Sequence, residues 1–169
     1  MDGVNFLEKR PVEIFSLDFG QHGTLFNMTN TGKDTGNVQR WSGMDWQDAN
    51  TSIPLIDTLG YLGYTLGNGL PATIVEMERH LHTQEALFPT DQPIVFVIAP
   101  ASETAPSVMD VIPVILRPGY VFVLHRGTWH SSAYGIKEEV YYHYLALVYH
   151  NEPTTISPIV GGPLRVELF

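Results

Sequence analysis

The sequence predicts an all-β fold, a sandwich or barrel of short strands. Three observations carry that expectation. Short apolar or alternating runs recur along the chain, separated by Gly, Pro, Asn and Asp. No amphipathic helical pattern extends beyond about two turns. The 12 prolines and 15 glycines are spread throughout the 169 residues, which argues against a helical bundle.

Taken in order, Val12 to Asp18 and Thr24 to Met28 read as strands flanking a GQHG turn (Gly20 to Gly23). Asn30 to Asn37 is a polar, glycine-bearing loop. Gly43 to Thr58 is less periodic and is expected to be loop with one helical turn. Leu59 to Leu66 is rich in Tyr and Leu, and Gly67 to Pro71 is a turn by composition. Ala72 to His82, Ile94 to Ile98, Val111 to Leu116, Tyr120 to Leu124 and Val140 to Tyr149 complete the strand candidates. TDQP, APASETAP, RPG and HNEP bound them. No linker, repeat or low-complexity segment divides the chain, so a single domain is expected over residues 1–169.

The formal net charge is -9, and no basic cluster is longer than Lys9-Arg10. Nucleic acid and anionic membrane are therefore not expected as partners. Cysteine is absent, which excludes disulfides and thiolate metal sites. The N-terminus lacks the pattern of a signal peptide, and no apolar run is long enough to span a bilayer. A cytoplasmic, soluble protein is the expectation.

Two segments carry chemistry. The first is MERHLHTQEALFP, Met77 to Pro89. Residues two apart share a strand face. Extended from Ile74, one face carries Glu76, Glu78, His80 and His82; the other carries Val75, Met77, Arg79 and Leu81. A solvated outer strand alternates in the same way, but two acids followed by two imidazoles make a convergent set of bases. The second is GYVFVLHRGTWH, Gly119 to His130. It reads as a strand and a hairpin corner with a buried Trp129, and it gathers His125, Arg126 and His130 around the turn.

Together these segments resemble the cupin superfamily, whose motifs are G-x5-H-x-H-x3-4-E-x6-G and G-x5-P-x-G-x2-H-x3-N. Gly119, Gly127 and His130 match the second, with His125 at the proline and Tyr134 at the asparagine. His80 and His82 match the first, and Glu85 comes one residue early beside Gln84. The resemblance implies a cupin-type double-stranded β-helix, a jelly-roll barrel of two packed antiparallel sheets. Residues 71–150 would form its core and residues 1–70 would pack on it. It also implies a divalent metal held by His80, His82, Glu85 and His130, with no organic cofactor. Three imidazoles and a carboxylate suit Mn, Fe, Ni, Zn or Co.

A narrower resemblance is to the ureidoglycolate lyase family, once called ureidoglycolate hydrolase. It rests on LPATIVEMERH (Leu70 to His80), on Glu85, Ala86 and Pro89, and on His125, Arg126, Trp129 and His130. It implies cleavage of ureidoglycolate to glyoxylate and urea, a step of purine catabolism and allantoin degradation, by a homodimer. In that chemistry Glu78, Glu76 or His82 would move protons. Arg126 would pair with the substrate carboxylate beside Trp129 and His125. Strand alternation turns Arg79 away from the histidines, toward an outer-face acid. His143 is expected to line the barrel or sit satisfied in the core, His22 and His150 to be surface residues, and the Tyr-rich strands to extend a sheet across the dimer. The competing expectations are another metal-dependent cupin enzyme, such as a sugar or keto-acid isomerase, and a non-catalytic small-molecule-binding cupin.

Overall fold

Residues Ile94–Ala99 read IVFVIA, and all six are buried. A strand that is apolar on both faces needs cover on both. In a computed structural model, which describes residues 6–29, 31–148 and 154–168, each face of this strand meets a separate apolar cluster.

The strands before it are β1 (Leu7–Lys9), β2 (Val12–Glu13), β3 (Gly23–Asn27), β4 (Val38–Ser42), β5 (Gln47–Thr51), β6 (Tyr61–Gly67), β7 (Ala72–Ile74), β8 (Glu76–Arg79) and β9 (Glu85–Pro89). Ile94–Ala99 is β10. It is followed by β11 (Ile112–Leu116), β12 (Tyr120–Leu124), β13 (Trp129–His130), β14 (Tyr134–Gly135), β15 (Val140–Ala146), β16 (Thr155–Pro158) and β17 (Leu164–Val166). One sheet runs β16-β8-β13-β10-β11-β2, with β14 also on β10; the facing sheet runs β3-β12-β9-β15-β6. From β8 to β15 the chain shuttles between the two sheets, so neighbours in a sheet are distant in sequence. That is a jelly roll, the cupin-type fold the motifs imply.

Between the sheets, Phe96 and Ile98 pack with Leu87, Phe122, Leu124 and Tyr142. Beyond the first sheet lies a third layer, β1-β17-β7, whose Ile74, Leu164 and Val166 cover Val95, Val97 and Trp129. Outside the five-stranded sheet, Leu55 and Ile56 cover Phe26, Val121 and Val123. Each such side chain contributes about 1.5–3 kcal/mol on burial, before conformational entropy is set against it.

Several expectations are corrected. Val12 to Asp18 is not one strand: β2 pairs with β11 for two residues, in parallel, and Ile14–Ser16 then form a 3-10 turn. Ile14, Phe15, Leu17 and Phe19 all pack on the core, a spacing that strict alternation cannot supply. Gly43 to Thr58 holds no helical turn. It contains β5, paired with β4 in a hairpin off the main sheets and tied down by Arg40, whose Nη2 donates to the Asn27 carbonyl at 2.6 Å. Residues before 71 do not all pack on the barrel from outside, because β3 and β6 form the two edges of the five-stranded sheet.

Ala72 to His82 is also broken. The chain crosses at Val75 from the third layer to the first sheet, and β8 ends at Arg79. His22 is buried at 1% exposure, not on the surface. His143 is exposed with Tyr141 on the outer side of β15, while Tyr142 turns inward. Tyr149 and His150 lie outside the described residues. No described helix is long and apolar enough to cross a membrane.

Candidate functional site

Three stretches of backbone bring the site together. Glu78 on β8 lies directly opposite His130 on β13. His80 follows the end of β8, and its carbonyl accepts a 2.8 Å hydrogen bond from the Gly127 amide, which joins the two motif segments. Gly127 has φ +79°, a left-handed conformation that favours glycine. Glu85 opens β9 after the turn at residues 81–84 and pairs across to Leu124 and Ala146.

The side chains converge. His80 Nε2 lies 3.0 Å from Glu85 Oε2. His130 Nε2 lies 3.6 Å from the same oxygen and 3.7 Å from Glu78 Oε1. Those two distances are ionic contacts, beyond hydrogen-bond range, and His130 Nε2 is a buried polar atom without a hydrogen-bond partner among the described residues. The other ring nitrogen, Nδ1, lies 3.0 Å from the Thr128 carbonyl. A carbonyl only accepts, so this contact assigns the proton to Nδ1. In neutral His130 a bare nitrogen lone pair then faces two carboxylates. Such an arrangement favours a cation there, either a proton on Nε2 or a metal ion.

The charge states follow the same geometry. Burial alone would push the Glu85 carboxyl up, but its contacts with His130 and His80 pull it down to about 2. Burial pulls the His130 pKa down, yet the attraction of Glu85 and Glu78 outweighs it and leaves the imidazole above its ordinary value.

The donor set fits a divalent metal. Ligand atoms of Glu78, His80 and His130 lie within 4.8 Å of one another. Atoms sharing an ion at about 2.1 Å stand about 3.0–3.5 Å apart, close to the 3.0, 3.6 and 3.7 Å separations found here. Two imidazoles with carboxylates suit a first-row divalent ion.

These groups border a cavity of about 280 Å³ whose wall includes Glu78, His80, Glu85, Thr65, Ser132 and Tyr142. A second cavity, of about 250 Å³, meets it at Glu78 and Ser132 and is also lined by Glu76, His130 and Ile156. The Tyr142 hydroxyl accepts from the Ala133 amide at 3.1 Å, and burial raises its pKa.

Of the expected site residues, the structure gathers Glu78, His80, Glu85 and His130. Glu76 is exposed and reaches only the second cavity. His82 stands edge-on to His80 with ring centroids 6.0 Å apart, outside the group of ligand atoms, because β8 ends before strand alternation can align the two histidines. Arg126 Nη2 pairs with Asp57 Oδ1 at 2.8 Å and lines neither cavity. His125 Nε2 lies 3.2 Å from Thr24 Oγ1. Trp129 is a core residue whose Nε1 donates to Ser102 Oγ. Arg79 finds no outer-face acid among the described residues: it donates to the Ser102 carbonyl and lies 4.8 Å above the Trp129 ring. Thr65, Tyr142 and Tyr144 line the cavity without having been singled out in the sequence. The inward parity of Tyr142 and Tyr144, opposite to His143, is the signal that would have found the tyrosines.

No protein-family pattern and no curated protein matches the chain. Among solved structures, it is similar to dTDP-6-deoxy-D-glucose-3,5-epimerase RmlC from Legionella pneumophila in complex with dTDP-4-keto-L-rhamnose. The identity is 13%, with 86% of this chain and 88% of that chain covered, at a TM-score of 0.48. It is also similar to dTDP-4-dehydrorhamnose 3,5-epimerase from Elizabethkingia anophelis, at 9% identity, 69% of each chain and a TM-score of 0.45. For the RmlC epimerase of Mycobacterium tuberculosis the values are 11%, 63% of this chain, 61% of that chain and 0.43. These are distant likenesses of fold.

Proposed function

We propose that this chain is a small-molecule enzyme of the cupin class. Its reaction would move a proton at a carbon beside a carbonyl, as sugar and keto-acid isomerases do. Glu78, His80, Glu85 and His130 would hold a divalent metal. The observation that carries this reading is the buried His130 Nε2, which faces two carboxylates and has no hydrogen-bond partner among the described residues.

A divalent ion, when bound, supplies Lewis-acid polarisation of a substrate oxygen. The chain's own residues do the rest. Thr128 fixes the His130 tautomer through Nδ1. Glu85 orients the His80 ring through the 3.0 Å contact to Nε2. Glu78, whose side chain is 35% exposed at the wall common to both cavities, is the group placed to take a proton from a substrate carbon and return it. Tyr142 and Thr65 offer hydroxyls to substrate oxygens from the opposite sheet.

The test is solvent exchange. Metal-reconstituted protein in D2O, given aldoses, ketoses and 2-keto acids, should place deuterium at the carbon beside the carbonyl, and Glu78→Gln should abolish it. No exchange with any of these by metal-loaded protein would refute the reading. Ureidoglycolate cleavage is the second reading, favoured by the LPATIVEMERH and HRGTWH stretches. It needs a holder for the substrate carboxylate, and Arg126, engaged with Asp57, is not at the cavity. Glyoxylate release from ureidoglycolate would establish it in place of the isomerase.

The same proposal includes a homodimer. Edge strand β6 exposes Leu62, Tyr64 and Leu66 beside Tyr141, a row suited to a second copy. Sedimentation of the chain as a monomer at micromolar concentration would remove that part alone.

A further inference from the structure

The charge of the cavity walls narrows the substrate class, granted that the site above is where substrate binds. Glu78 and Glu85 border the first cavity, and Glu76 and Glu78 border the second. Among the described residues, none of the nine lysines and arginines lines either one. The two arginines nearest in sequence are committed elsewhere, Arg79 to the Ser102 carbonyl and Trp129, Arg126 to Asp57. A divalent ion among three glutamates would still leave the pair of cavities without net positive charge.

We propose that the site takes a neutral, hydroxyl-rich molecule of the free sugar or polyol class, lying across both cavities, and rejects phosphorylated or carboxylated ones. The glutamates, Ser132, Thr65 and Tyr142 present acceptors and hydroxyls that match a row of substrate hydroxyls. The buried His130 Nε2, aimed between Glu78 and Glu85, marks where the reacting end sits. An anion entering the same space meets like charge at short range in a partly desolvated wall, with no guanidinium or ammonium among the described residues to receive it.

The test reads binding on metal-free protein, so that it stands apart from the metal and exchange experiments. The histidine imidazole NMR signals of the folded protein are titrated with glycerol, D-ribose and D-glucose. Parallel titrations use glycerol 3-phosphate, ribose 5-phosphate, glucose 6-phosphate and glycolate. At least one neutral compound should shift the His80 and His130 signals saturably, and its charged counterpart should bind at least about tenfold more weakly. Glu76→Lys, at an exposed position in the second cavity, should narrow that ratio several-fold by adding a cation where none stands. A charged compound that binds as tightly as its neutral partner would overturn the proposal. So would the absence of any shift with all three neutral compounds, or an unchanged ratio in Glu76→Lys.

Discussion

Replacing Glu85 by Gln probes the electrostatics at the centre of the site. The carboxyl titrates at about 2 where an ordinary one titrates at 4.5. That difference stands for about 3 kcal/mol of preferential stabilisation of its ionised form. A depressed carboxyl contributes above pH 4.5 and loses its contribution as the pH falls through about 2. His130 runs in the opposite direction. Its raised pKa contributes below 6.5, and that share is lost as the pH rises through its value in the folded protein. The two shifts describe one interaction and do not add. With the metal removed by chelation, Glu85→Gln should therefore cost about 3 kcal/mol near pH 5.5, where both partners are charged. As the pH rises through the folded-state value of His130 the imidazole loses its proton, and the cost should fall toward about 1 kcal/mol, the worth of an ordinary hydrogen bond. Urea unfolding of both proteins from about pH 5.5 upward, followed by tryptophan fluorescence, measures this. A pH-independent cost, or a variant as stable as the wild type throughout, would refute the reasoning.

Two further predictions concern the scaffold. Burial lowers the pKa of His22, so its contribution is present above 6.5 and lost as the pH falls through its folded value; the stability curves of wild type and His22→Gln should diverge on acidification, and parallel curves would contradict this. Trp129→Ala removes a fully buried ring and strips Arg79 of its cover. It should cost about 3–5 kcal/mol in urea unfolding, and a loss below about 1 kcal/mol would show that the ring is not a core element.

The all-β class was legible because alternating runs and turn residues recur where buried faces and chain reversals do. The hairpin β4–β5 was not: its residues are half-buried or exposed and carry no apolar alternation, so nothing in its pattern announces a strand. That His80 and His130 would come together was legible from motif spacing. Glu85 reaches the site although it is one residue short in the motif, because the turn at residues 81–84 returns the chain and only then starts β9. His82 was placed by extending parity through a strand that ends at Arg79, so alternation no longer fixes the direction of its ring. Tyr142, Tyr144 and Thr65 come from β15 and β6, distant in sequence from either motif, and only the sheet order brings them to the cavity wall. His22 is polar beside a turn, a surface signature, yet the Gln21 side chain and the packed backbone around it bury it.

The central claim is that Glu78, His80, Glu85 and His130 form a cation site, and metal titration tests it most directly. Chelator-stripped protein, titrated by calorimetry with Mn, Fe, Co, Ni and Zn, should bind at least one of these ions with one site per chain. His80→Ala and His130→Ala, shown to be folded by circular dichroism, should each weaken that binding by about a hundredfold or more, as loss of a direct ligand exceeds the 10–100-fold expected of a supporting residue. His82→Ala should bind as the wild type does. Saturable binding of none of these ions, or binding that survives His130→Ala and is lost in His82→Ala, would contradict the account.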